Sequence, residues 1–221
     1  MTRVLFEKHL QELKDDVLVM SSMVEKAIDR SIDSLKRRDL KLAHQIIADD
    51  ENVNHKRFEI EDKCVSLIAT QQPMASDLRT IIAILYISNE LERMADHAEG
   101  IARITVLIGD EPPLKPLIDI PRMAQKTIEM LRQSMESFMQ RDMKKAEAVC
   151  TADTEIDQLY DQVYRELISF MIEDPKTITR ATRLMWVAHN LERIGDRATN
   201  IAERVAFIVT GKMVEMGTSR Y

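Results

Sequence analysis

Glu92 and Asp96 stand four residues apart, and so do Glu192 and Asp196. On a helix that spacing stacks two carboxylates on one face, where like charges repel by a few tenths of a kcal/mol. Both pairs fall inside one repeated phrase, Leu-Glu-Arg-Met-Ala-Asp at 91–96 and Leu-Glu-Arg-Ile-Gly-Asp at 191–196. The window 89–103 matches 189–203 at seven of fifteen positions, three of them charged. A repeated core alone does not demand charged identities. Two more pairs with the same spacing, Asp50/Asn54 and Asp153/Asp157, recur upstream at a shift of 103 residues. If the helices that carry them run antiparallel, each repeat gathers four oxygen-bearing side chains. The first set is Asp50, Asn54, Glu92 and Asp96; the second is Asp153, Asp157, Glu192 and Asp196.

Such a set suits a hard or borderline cation, among them iron, manganese, magnesium, calcium and zinc. Glu-x-x-His, the helix motif of ferritin-type di-iron enzymes, is absent, because Ala95 and Gly195 stand three residues beyond Glu92 and Glu192. Arg93 and Arg193 offer a competing role for the acids as structural ion pairs. Both readings stand at this point. His97, His55 and His189 have no histidine at the matching place in the other repeat and read as surface or boundary residues. There is no Walker loop, GxSxG, GxGxxG or HExxH. A non-enzymatic role is therefore expected, with a metal-dependent enzyme and a metal-free helical adaptor as the alternatives.

The elements that must position these groups are long helices. Gly and Pro are missing from 1–72 and again from 122–174, and apolar residues step by three and four. The spacing predicts helices over 5–37 and from 40 to just before Gln71-Gln72-Pro73, with Asp39 capping the second. A third is expected to reach residue 108, capped by Ser76 or Asp77 and stopped by Gly109. Its wheel puts Ile84, Ile87, Ala98, Ala102 and Thr105 beside Leu91, with Glu92, Asp96 and Glu99 about 100°, 140° and 80° away. Residues 141–146 repeat 38–43, Asp174-Pro175 opens the last helix, and Gly211 closes it near 209. Ala95, Gly195, Ala98 and Ala198 are small residues suited to close helix approach. Trp186 and the fourteen methionines are read as core. The fold class is all-α: two three-helix bundles related by an internal repeat, at 1–110 and 122–221, joined by a linker at 111–121.

A net charge of -6 argues against nucleic acid as a general partner and against direct attraction to anionic membranes. No run of about 18 apolar residues is present. Cys64 and Cys150 follow no metal-binding spacing and read as reduced packing residues. A cytoplasmic protein is expected.

With these motifs in place, the chain resembles the PhoU family, accessory regulators of bacterial phosphate-specific transport. The likeness spans roughly residues 5–212. It rests on Asp-Glu-Asn-Val-Asn at 50–54, Gln-Pro-Met-Ala-Ser-Asp-Leu-Arg at 72–79, the two repeated phrases, residues 153–157, and Ala198, Asn200 and Ile201. Met94-Ala95 departs from the family's usual Ile-Gly, and Asn54 stands where a carboxylate is the rule. The resemblance implies multinuclear iron or zinc held by the eight residues named above, with Asn200 and Glu203 as further candidates. It also implies a homodimeric negative regulator of the phosphate-starvation response. Such a protein meets the phosphate ABC transporter and a sensor histidine kinase, and reaches the membrane only through them.

Overall fold

The computed structural model describes residues 3–216. Six α-helices carry them: α1 (Arg3–Arg37), α2 (Leu40–Gln71), α3 (Ser76–Ile108), α4 (Asp119–Gln140), α5 (Met143–Glu173) and α6 (Ile178–Thr210). A single 3₁₀ turn, Pro175–Thr177, leads into α6. Among the described residues no helix is long and apolar enough to cross a membrane.

The first helix pair of each repeat is joined by the same turn. Arg38 and Arg141 take left-handed backbone, with φ of 55° and 53°. Asp39 N–H then donates to Ser34 O and Asp142 N–H to Ser137 O, both at 2.9 Å, which closes the carbonyls left open at the helix end. Asp39 and Asp142 next cap the following helix, accepting from Leu42 N and from Lys144 N and Lys145 N. Eleven residues on from each cap stand Asp50 and Asp153. Identical starting points place the two acids alike.

α2 packs on α1 and α3, and α5 packs on α4 and α6. Between them α1, α3, α4 and α6 form a shared inner layer, so one apolar core runs through both repeats. Leu91, Leu191, Ile84, Ile87, Ala98 and Ala102 are fully buried, as their spacing predicts. α3 and α6 lie antiparallel and exchange two related clasps. His97 Nδ1 meets Asn190 Oδ1 at 2.9 Å. Glu90 Oε2 accepts from Arg197 at 3.4 Å and from Asn200 Nδ2 at 3.1 Å. His97 is thus an inter-repeat contact rather than an ordinary boundary residue.

Several local expectations fail for identifiable reasons. Neither Ser76 nor Asp77 caps α3: the cap position is Ala75, at φ 47°, with no side-chain bond. Asp77 instead pairs with Arg3 at 2.7 Å. α4 begins at Asp119, so Pro121 sits in its first turn, where no amide partner is needed, and the connector is shorter than expected. Trp186 is not core but 54% exposed. Phe58 and Val65 also face outward from α2, with the Arg57 guanidinium over the Phe58 ring at 4.4 Å.

Candidate metal centre

In the second repeat α5 supplies Asp153 and Asp157, and α6 supplies Glu192 and Asp196. α5 and α6 pack together, and across that contact Asp157 and Asp196 both act on Asp153 and Glu192. Asp153 is 9% exposed and lies against Gly195. A Cβ on that glycine would stand 3.0 Å from Asp153 Oδ1. The small residue therefore admits a carboxylate, and does more than let two helices approach. Burial, with Asp157 and Asp196 nearby, pushes the Asp153 carboxyl up to about 7. Burial and Asp196 also push Glu192 up to about 7, against the pull of Arg193. Burial raises Asp196 as well, again opposed by Arg193. The Arg193 guanidinium lies between the α6 acids, with Nε 2.9 Å from Glu192 Oε2 and Nη1 donating to Asp196 Oδ2 at 2.8 Å. The first approach is not aligned as a hydrogen bond, and buried Glu192 Oε2 accepts none.

The first repeat brings Asp50, Glu92 and Asp96 together on α2 and α3 in the same way. Burial comes first, then Asp96, Glu99 and Glu92, in raising the Asp50 carboxyl to about 6. Asn54 Nδ2 donates to Asp50 Oδ2 at 3.1 Å, so the amide relieves repulsion that Asp157 adds in the other repeat. Glu92 and Asp96 are also held above the usual carboxylate range, chiefly by burial. Here the neighbouring cation comes from α2. Arg57 Nε stands 3.6 Å from Glu92 Oε1, and its Nη1 donates to Glu61 at 2.5 Å. Where Gly195 leaves room, Ala95 carries a Cβ, and a cleft of about 290 Å³ opens beside Asp50, Glu99, Lys26 and Arg30.

Sequence spacing thus brings all eight expected residues into two grooves, one per repeat. It missed Arg57, although seven residues from Asp50 is about two helical turns on the same face. Asn200 and Glu203 are engaged elsewhere: Asn200 donates to Glu90, and Glu203 accepts from the Met216 amide at 2.9 Å.

As donors these residues fit a cation. They are desolvated carboxylate oxygens that repel one another, and one buried oxygen lacks a hydrogen bond. Among the described residues, however, no three Asp, Glu, His or Cys side chains converge as they stand to enclose an ion. Arg193 and Arg57 hold the acids instead, so a metal would displace a guanidinium. Both cysteines are buried and free, their thiols pushed up to about 12 and 11 by burial, which leaves them inert packing groups.

Comparison with known proteins matches the PhoU domain twice, at residues 17–105 and 120–205. A phosphate-specific transport system accessory protein PhoU homolog of Clostridium acetobutylicum is 37% identical over 217 residues, which cover 98% of this chain and 99% of the relative. The Aquifex aeolicus homolog of the same description is 40% identical over 94% of each chain. The crystal structure of PhoU from Pseudomonas aeruginosa superposes with a TM-score of 0.89 at 33% identity, covering 94% of this chain and all of that one. The phosphate transport system regulatory protein PhoU from Streptococcus pneumoniae gives 0.88 at 29% identity, over 95% and 99% of the two chains.

Proposed function

Since the chain belongs to the PhoU family, we propose that it is a cytoplasmic, homodimeric negative regulator of the phosphate-starvation response. It would act on the phosphate ABC transporter and its sensor histidine kinase. The observation that carries this reading is similarity over nearly the whole chain to accessory proteins of phosphate-specific transport, with both repeats present. The fold suits an adaptor, since its long helices offer wide outer faces around one rigid core.

Metal is part of the proposal. Asp50, Asn54, Glu92 and Asp96 would hold one multinuclear iron or zinc site, and Asp153, Asp157, Glu192 and Asp196 the other. Such a cation would supply the positive charge that the desolvated carboxylates call for, and would couple loading to fold stability. Within the chain, Gly195 admits the Asp153 carboxylate and Asn54 softens the repulsion at Asp50. Arg193 and Arg57 hold the acids when no metal is present. One observation favours a metal-free adaptor as the second reading: Arg193 already reaches both α6 acids within 3 Å.

Deleting the gene tests the regulatory reading. Phosphate-starvation genes should then be expressed in phosphate-rich medium, with the kinase still required. Genes that stay repressed in the deletion strain would refute it.

A further inference from the structure

The two grooves are built alike but charged differently. Around the first, three arginines each close on an acid: Arg30 on Asp49 at 2.6 Å, Arg57 on Glu61 at 2.5 Å and Arg103 on Glu99 at 2.6 Å. All three border the site. Arg30 lines the cleft beside Asp50, Arg57 Nε stands 3.6 Å from Glu92 Oε1, and Arg103 lies within reach of the Asp50 charge. At the matching places the second repeat carries Gln133 with Ala152, Tyr160 with Tyr164, and Glu203 with Thr199. None of the three pairs can form there, and the one charge left is negative. Lys26, on the wall of the first cleft, is matched by Glu129. Asn54, which donates to Asp50, is matched by Asp157. The second repeat gains one cation in return, Arg197 in the place of His97, and it is drawn across the repeats to Glu90 at 3.4 Å.

The second groove also holds acceptors that nothing answers. Asp153 is 9% exposed, and among the described residues no cation or hydrogen-bond donor meets its carboxylate. Arg193 reaches Glu192 and Asp196 on its own helix, which leaves Asp153 on α5 facing the charges of Asp157 and Asp196. Glu192 Oε2 is buried and accepts no hydrogen bond. Gly195 keeps the space that the Asp153 carboxylate occupies, and the first repeat has Ala95 at that place. Buried carboxylates without partners are costly when ionised, and a bound cation removes that cost. At oxygen-ligand sites affinity also rises with the number of charged ligands.

We propose that the two sites load in order: the second repeat takes its cation first and tightly, and the first repeat, ringed by arginine pairs, is a weaker site that fills last. The inference rests on the metal reading above and adds a sequence to it. Occupancy of the first groove would then follow metal supply while the second stays loaded.

Chelator-stripped protein would be titrated with manganese, with bound metal counted by equilibrium dialysis and Trp186 fluorescence read alongside. Trp186 is the sole Trp, its ring centroid is 5.5 Å from that of His189, and His189 Nδ1 stands 3.9 Å from Glu192 Oε2. Paramagnetic manganese in the second groove therefore quenches it. The first metal bound should quench Trp186, and a second class about tenfold weaker or more should add little quenching. Asp153→Asn should remove the tight class and spare the weak one, and Asp50→Asn should do the reverse. Asn54→Asp with Arg57→Tyr, which installs the residues of the second repeat, should tighten the weak class about tenfold. Two classes of equal affinity, quenching that belongs to the weak class, or a tight class that survives Asp153→Asn or is lost in Asp50→Asn would overturn the proposal and leave the metal reading standing. A parent that binds no manganese, zinc or iron would overturn both.

Discussion

Asp153→Asn removes one buried charge while keeping the shape of the side chain. In the metal-free protein the Asp153 carboxyl sits near 7 rather than at 3.8, because burial and then Asp157 and Asp196 disfavour its ionised form. A folded pKa above the unfolded one means that the native state holds the extra proton. The resulting stabilisation is complete at low pH and is lost as pH rises from about 4 through 7. About three pKa units correspond to a ceiling of about 4 kcal/mol at Asp153 above pH 8. The asparagine carries no such penalty. In chelator at pH 8 the variant should be more stable than the parent by about 1–4 kcal/mol, and near pH 4 the two should converge. Glu192 and Asp50 act with the same sign, having been pushed up to about 7 and about 6. His97 and His189 act oppositely, since burial lowers both, but only below their ordinary pKa of 6.5. Urea unfolding followed by circular dichroism between pH 6.5 and 8 is therefore the cleanest window. A parent whose stability stays flat or rises there, or a variant less stable at pH 8, would refute the reasoning.

Two other outcomes follow from the same geometry. Arg193→Met strands Glu192 and Asp196 as partly buried, unpaired acceptors, so the metal-free protein should lose about 1–3 kcal/mol. Added manganese or zinc should then stabilise it more than it stabilises the parent, as differential scanning fluorimetry would show; an unchanged metal-free melting point counts against Arg193 as the stand-in cation. Asn190→Ala breaks the clasp with His97, a part-buried bond of 2.9 Å. It should cost about 1 kcal/mol and lower Tm by about 2–4 °C, and no change in Tm would mean that the clasp is not a stabilising link between repeats.

Much of this architecture was legible because helices advertise themselves. The stripe around Leu91, the cap Asp39, and Gly109 and Gly211 as stops are local patterns, and the structure keeps them. The meeting of Asp50 with Glu92 and Asp96 needed only antiparallel helices and equal distances from two identical turns. Trp186 was misread because hydrophobicity was weighed above periodicity: five residues before Leu191, it falls about 220° around the wheel from the core stripe. Phe58 likewise faces outward, about 160° from Ile60. His97 with Asn190 could not be read at all, since that contact arises from α3 packing on α6 across the repeats. Arg57 as the cation of the first site required knowing that Arg93 does not take that place. Side-chain choice between two arginines is a matter of tertiary geometry.

The most direct measurement is metal content and metal-induced stabilisation of protein purified without chelator. The parent should carry iron or zinc, and its Tm should rise on reloading after chelation, because an ion that binds only the native groove stabilises it by mass action. Glu92→Ala with Asp96→Ala should remove the metal of one site, and Glu192→Ala with Asp196→Ala that of the other. A parent that holds no metal and shows no shift with iron, manganese or zinc would contradict the account, and would leave the carboxylates as ion-pair partners of Arg57 and Arg193.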